Sequence, residues 1–168
     1  NNLGTSYERL GRLPEAVAVY RKGLAADFNQ PTLHYNLGVA LKKTGLLAEA
    51  QGEFTQALRV RPGWTEALNN LGVVLQLQGR AQEALRAFLQ VLRAQPDNAQ
   101  AFNNVGVAYA QLGRSAEATQ AYREALRRDL AYYQAEANLA ALLESEKRYG
   151  EALDLYKRET GRYPSSSD

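Results

Sequence analysis

The sequence has no cysteine, so it can form neither a disulfide nor a thiolate metal site. Histidine occurs once, at His34, which leaves almost no material for a Ser-His or Cys-His nucleophile pair. No apolar run approaches the roughly 20 residues that a membrane-crossing helix needs. No glycine-rich phosphate loop is present, because each Gly of the Leu-Gly-Val kind stands alone. Excess charge is small, with a formal net charge of +2 and a pI near 8.9. Nucleic-acid binders gather Lys and Arg on one face. Here Arg59, Arg93 and Arg127 recur at a fixed spacing instead, near predicted helix ends where they complement the dipole. The expectation is a chain without cofactor or metal, and without nucleic acid or membrane insertion among its partners.

What is present is one phrase, written five times. Asn69-Asn70-Leu71-Gly72-Val73 returns as Asn1-Asn2-Leu3-Gly4-Thr5, Tyr35-Asn36-Leu37-Gly38-Val39, Asn103-Asn104-Val105-Gly106-Val107 and Ala137-Asn138-Leu139-Ala140-Ala141. Its central asparagine stands at 2, 36, 70, 104 and 138, a constant step with no insertion. A fixed period of that size marks an array of stacked repeats. The expected units are 1–30, clipped at its start, then 31–64, 65–98, 99–132 and 133–164, with a polar tail at 165–168.

Each unit reads as two helices. In the first, Leu37, Gly38, Ala40 and Leu41 share one side, while Asn36, Val39 and Lys43 share the other. Gly11, Gly45, Gly79 and Gly113 follow the first helices and can supply the left-handed backbone of a C-terminal cap. In the second, a small residue precedes an aromatic by four: Ala16 and Tyr20, Ala50 and Phe54, Ala84 and Phe88, Ala118 and Tyr122, Ala152 and Tyr156. Large against small lets two helices approach and interdigitate. Pro62, Pro96 and Pro164 stop the second helices. Glu15, Glu49, Glu83, Glu117 and Glu151 sit near helix starts, where the dipole favours them, and read as structural. His34 and Trp64 read as packing residues, Trp64 over the turn between units. Tyr132-Tyr133 are candidate surface anchors.

The set Leu37-Gly38, Leu41, Gly45, Ala50, Phe54, Ala57 and Pro62 resembles the tetratricopeptide repeat, a helix–turn–helix unit whose period matches the step found here, over nearly the whole chain. The resemblance implies an all-α, right-handed superhelical solenoid of antiparallel helix pairs. Its first helices would line a concave groove that binds peptides or other proteins. Phe28 and Leu130 stand where the pattern has proline, and Ala140 and Lys147 replace the two glycines of the last unit. At Leu130-Ala131-Tyr132-Tyr133 the helix is expected either to run on or to turn by another geometry. The last unit, with Glu159-Thr160 at positions otherwise small or leucine, is more polar, as a terminal cap requires. The chain opens in mid-repeat and is expected to be a piece of a longer array.

Asparagine is a mediocre helix former, because its amide competes for nearby backbone groups. Even so, Asn2, Asn36, Asn70, Asn104 and Asn138 hold one position inside successive first helices. Each offers an acceptor and two donors, so each can pair with the backbone of an extended peptide. First helices packed about 10 Å apart would meet such a peptide about every third residue, at roughly 3.3 Å per residue. The row resembles the asparagine ladder of O-linked N-acetylglucosamine transferases. The other reading is that these amides bond to the adjacent unit and set the stacking angle, and the two can coexist.

Around the row the same face is expected to carry Asn1, Tyr35, Asn69 and Asn103, then Thr5, Val39, Val73 and Val107. Lys42-Lys43, Gln76 and Gln111 come farther along. Lys42 and Lys43 could steer an acidic segment. The Lys/Asn/Arg clamp by which some family members hold chaperone C-termini is absent: Val39, Val73 and Val107 fill one of its asparagine positions.

The expected function is a non-catalytic scaffold holding an extended protein segment. Alternatives are the substrate-recruiting arm of a larger enzyme such as a glycosyltransferase, or a structural module that self-associates through open array ends. The compartment stays unset, with the cytoplasm favoured over a periplasm. Arg outnumbers Lys 15 to 5 and Ala is abundant, which fits GC-rich coding and a bacterial source.

Overall fold

In the computed structural model of the chain, residues 2–162 are described, with side chains from 2 to 157. The readings made on Asn1, on the side chains of Glu159-Thr160 and on the residues from Tyr163 onward lie outside that range. Ten α-helices and no strand occur among the described residues. The chain divides into two compact units, Asn1–Ala94 and Gln95–Asp168.

The first unit contains α1 (Asn2–Arg9), α2 (Leu13–Ala26), α3 (Pro31–Lys43), α4 (Leu47–Val60), α5 (Thr65–Leu77) and α6 (Ala81–Ala94). Odd-numbered helices are the first members of each hairpin, even-numbered ones the second. Each helix packs on the next, and α3 also touches α5. The turns inside the hairpins follow from glycine: Gly11, Gly45 and Gly79 take φ of 69°, 80° and 75°. That left-handed step closes the helix end, as when Leu46 N–H donates back to the Leu41 carbonyl at 3.0 Å.

The core is built from the predicted large-against-small pairs. Tyr20, Phe54 and Phe88 are fully buried, as are Ala16, Ala50 and Ala84 four residues before them. Across the hairpin each ring lies on the bare backbone of a first-helix glycine. A Cβ on Gly4, Gly38 or Gly72 would come within 2.3, 2.8 and 2.4 Å of the rings of Tyr20, Phe54 and Phe88. Sequence periodicity placed these glycines on the packed side; the structure shows that the ring itself requires them.

The second unit contains α7 (Ala99–Gln111), α8 (Ser115–Arg128), α9 (Tyr133–Ser145) and α10 (Tyr149–Arg162). Asn98 caps α7, its side chain accepting from Ala101 N–H at 2.9 Å. Gly106 meets the Tyr122 ring as its counterparts do, with a hypothetical Cβ at 2.5 Å. In the last hairpin Ala140 brings a real Cβ to that position, and Tyr156 remains 38% exposed with its hydroxyl on Glu144 at 3.1 Å. Lys147 takes the left-handed turn at φ 61°, a conformation the other hairpins give to glycine.

The two junctions lacking proline turn rather than run on. At each, an aspartate follows the second helix in extended backbone and accepts an N–H two residues ahead. Asp27 takes that of Asn29 at 3.0 Å, and Asp129 that of Ala131 at 2.9 Å. These side-chain turns compete with helix continuation. They explain why Phe28 and Leu130 can replace proline without fusing two helices.

Candidate functional site on the first helices

The five row asparagines are partly buried at 36, 70, 104 and 138 and exposed at 2. In the first unit the geometry is most complete at Asn70 of α5. Its Nδ2 donates to the Glu66 carbonyl at 2.9 Å and to the Tyr35 hydroxyl of α3 at 3.2 Å, and its Oδ1 accepts from Lys42 Nζ of α3 at 2.5 Å. Both donors and one acceptor lone pair are thus engaged. The stacking role weighed for this row is present here, and one lone pair of Oδ1 stays available.

Tyr35 is part of an aromatic shelf. Its ring stacks on Trp64 at 4.6 Å and meets Phe54 edge-on at 5.9 Å, while the Arg61 guanidinium lies 5.1 Å from the Trp64 ring. Trp64 therefore packs over the turn as expected, and it also stiffens the residue that holds Asn70. Burial, followed by the Glu66 charge, pushes the Tyr35 hydroxyl pKa up, so it remains an O–H donor at neutral pH.

Lys42 and Lys43, expected as an adjacent pair open to an acidic ligand, are separated by their partners. Lys43 pairs with Glu8 of α1 at 3.0 Å. That glutamate also accepts from Tyr20 at 2.8 Å, and burial drives the Tyr20 hydroxyl up to about 12. Lys43 is thereby committed to holding α1 and α3 together. Lys42 turns toward α5, where burial and then the neighbouring Lys43 charge lower its pKa. The difference arises because consecutive helix residues point about 100° apart.

Between α1 and α3 a cleft of about 310 Å³ is lined by Thr5, Glu8, Tyr35, Asn36 and Val39 among others. It brings together five of the face positions read from sequence, Thr5, Tyr35, Asn36, Val39 and Lys43. Val73 is partly exposed and Asn69 partly buried; Gln76 is partly buried too, with Nε2 enclosed and making no hydrogen bond.

In the second unit Asn138 Nδ2 donates to Asn103 Oδ1 at 2.9 Å, and Asn103 Nδ2 reaches Asn104 Oδ1 at 3.5 Å. Asn103 was expected on the open face and is instead only 5% exposed. The amide of α9 reaches back onto it, as Asn70 reaches back onto Tyr35, in both cases across 35 positions. Val107 packs partly buried against the core of this unit, and Gln111 is exposed. Tyr133 is 69% exposed, whereas Tyr132 is partly buried at the start of α9.

The remaining chemistry-bearing side chains are in structural use. His34 is 1% exposed, with Nδ1 at 2.6 Å from Glu53 and Nε2 at 2.8 Å from the Phe28 carbonyl. The helix-start glutamates have partners that the sequence reading missed. Arg12, Arg80, Arg114 and Arg148 immediately precede the second helices and pair three residues on with Glu15, Glu83, Glu117 and Glu151 at 2.6–2.8 Å. The arginine hydrogen bonds hold Glu15, Glu83 and Glu117 below the usual carboxylate range. The recurring Arg-x-x-Glu spacing was the signal available for this. Glu49, which has Leu46 three residues before it, pairs instead with Arg21 of α2 at 2.5 Å.

Replacing Asn70 by Ala is therefore expected to cost about 1–2 kcal/mol of stability, since it leaves Tyr35 and a partly buried Lys42 without their partner. Urea denaturation checks this. A variant as stable as the parent would mean that these bonds do not stitch α3 to α5.

The sequence pattern described as tetratricopeptide repeat matches residues 29–97 and 64–131, and another of that description matches 106–167; a third, described as TPR repeat, matches 2–45. No curated protein is similar enough to count as a match. Among solved structures, MamA 41-end from Desulfovibrio magneticus RS-1 has a TM-score of 0.91 at 22% identity, over 99% of this chain and 94% of that one. Its likeness is one of fold alone. PilF of Pseudomonas aeruginosa has a TM-score of 0.81 at 26% identity, over 93% of this chain and 71% of that one. MamA AMB-1 has a TM-score of 0.80 at 25% identity, over 94% of this chain and 93% of that one. The pattern matches run through most of the helix pairs described above, and the chain belongs to the tetratricopeptide repeat family.

Proposed function

We propose that the chain is a non-catalytic scaffold that holds an extended segment of a partner protein against the face of its first helices. Membership of the tetratricopeptide repeat family fits protein–protein interaction in general. The observation that carries the finer reading is the make-up of the face: small Val39 and Val73, both partly exposed, lie among polar groups fixed in place by neighbouring helices. Small side chains leave room for a ligand backbone. Amides and hydroxyls already held rigid lose little freedom on binding. Asn70 would accept a ligand N–H on its remaining Oδ1 lone pair, and the exposed Asn2 would serve in the same way at an earlier hairpin. With neighbouring first helices about 10 Å apart, such contacts fall about every third ligand residue, independent of its side chains.

A selection of random twelve-residue peptides displayed on phage tests this reading. Enriched peptides are expected to lose binding about tenfold or more to Val73→Arg, which fills the face. Leu89→Arg, on α6 and 36% exposed, is expected to leave binding unchanged. Peptides that respond to the α6 change and ignore the α5 change would overturn the proposed surface.

A further inference from the structure

A row of equivalent amides grips a backbone without choosing its register, because every repeat presents the same group again. Something else has to decide which ligand residue lies where. One position on this face is unlike its counterparts: Glu8, Gln76, Ala110 and Glu144 occupy the register at which α3 carries Lys42. Lys42 is partly buried. Among the described residues no carboxylate forms an ion pair with it, whereas the next residue, Lys43, has Glu8 at 3.0 Å.

Building on the scaffold reading, we propose that Lys42 is the anchor for an acidic side chain, Asp or Glu, of the bound segment and sets that segment's register. The ammonium head is already positioned. One of its three N–H groups goes to Asn70 Oδ1 at 2.5 Å, and Asn70 is in turn held by the Tyr35 hydroxyl and the Glu66 carbonyl. Two N–H donors of Lys42 remain, and beside them Tyr35 accepts from Asn70 while keeping its own O–H to give. Three donors around one place match a carboxylate, which has two oxygens, accepts only, and forms its strongest hydrogen bonds with charged donors.

Two acids act on Tyr35, Glu66 and Glu8, and Glu8 is already paired with Lys43 at 3.0 Å; Glu66 is the other. It is exposed, accepts from Thr65 Oγ1 at 3.2 Å, and acts on Tyr35 rather than on Lys42. The lowered pKa of Lys42 is the mark of a cation short of solvent and of countercharge. An arriving carboxylate supplies the missing charge at little ordering cost.

The test uses the peptides enriched on the intact chain, with affinities from fluorescence anisotropy and folding checked by circular dichroism. Enriched sequences are expected to share Asp or Glu at one position. Changing that residue to Asn or Gln should weaken binding about tenfold or more to the unaltered protein, and hardly at all to Lys42→Gln. Lys43→Gln should change affinity less than twofold, and selection on Lys42→Glu should enrich Lys or Arg at the same position. Peptides that lose binding to Val73→Arg but tolerate loss of the acid would overturn the anchor and leave the scaffold standing. Failure to enrich any peptide would overturn both.

Discussion

Phe88→Ala is expected to destabilise the first unit by about 3–5 kcal/mol, the range for truncating a fully buried aromatic. The ring is 0% exposed, and the surfaces it covers are short of side chain. Gly72 lies beneath it and Ala84 one turn before it, so neither can swing into the vacated space. A site that cannot collapse keeps its cavity, which puts the loss toward the upper end. Repeat arrays open in parts, so the global midpoint in urea belongs beside hydrogen exchange of the α5 and α6 amides. A loss below about 1 kcal/mol, with those amides still protected, would show that the hairpin does not rest on this ring.

Gly72→Ala tests the same contact from the other side, and its sign separates two physical effects. Helix propensity alone favours Ala over Gly by about 0.8–1 kcal/mol inside a helix. Packing opposes it, because the new methyl would sit 2.4 Å from Cε1 of Phe88, well inside contact distance. The ring is rigid and enclosed, so strain dominates and a net loss of about 1–3 kcal/mol is expected. In the Phe88→Ala background the same change should become stabilising, since the methyl then partly fills a cavity and the propensity gain remains. A double-mutant cycle read by urea denaturation measures this coupling. Stabilisation by Gly72→Ala in the unaltered chain would sink the close-approach account.

Much of this fold was legible because its signals are short-range and repeated. The step from small residue to aromatic is i, i+4, the closing glycine stands at the end of its own helix, and each recurs at one spacing. Reading left alternatives open where a local rule had a substitute of different chemistry. Asp27 and Asp129 end helices where proline was expected, and Lys147 takes the left-handed turn where glycine was expected. The candidate site was legible only as a set of positions. Tyr35, Asn36 and Val39 line one cleft, and Asn70 reaches Tyr35 and Lys42, but which amide was already spent, and on what, was not visible. Asn103 shows the cost: placed on the open face by its register, it is buried as the acceptor of Asn138.

Sequence by itself determined the period, the two-helix unit, the large-against-small stripe along which hairpins pack, and the family. Those are properties of spacing along one chain, and helix geometry converts spacing into a face without further information. Tertiary structure alone decided the polar partnerships: Lys43 with Glu8, Lys42 with Asn70, and Asn70 with Tyr35. A side-chain hydrogen bond between helices forms only within a few tenths of an ångström and a limited range of angles. The offset between two packed helices sets that geometry, and no residue pattern read one helix at a time contains the offset.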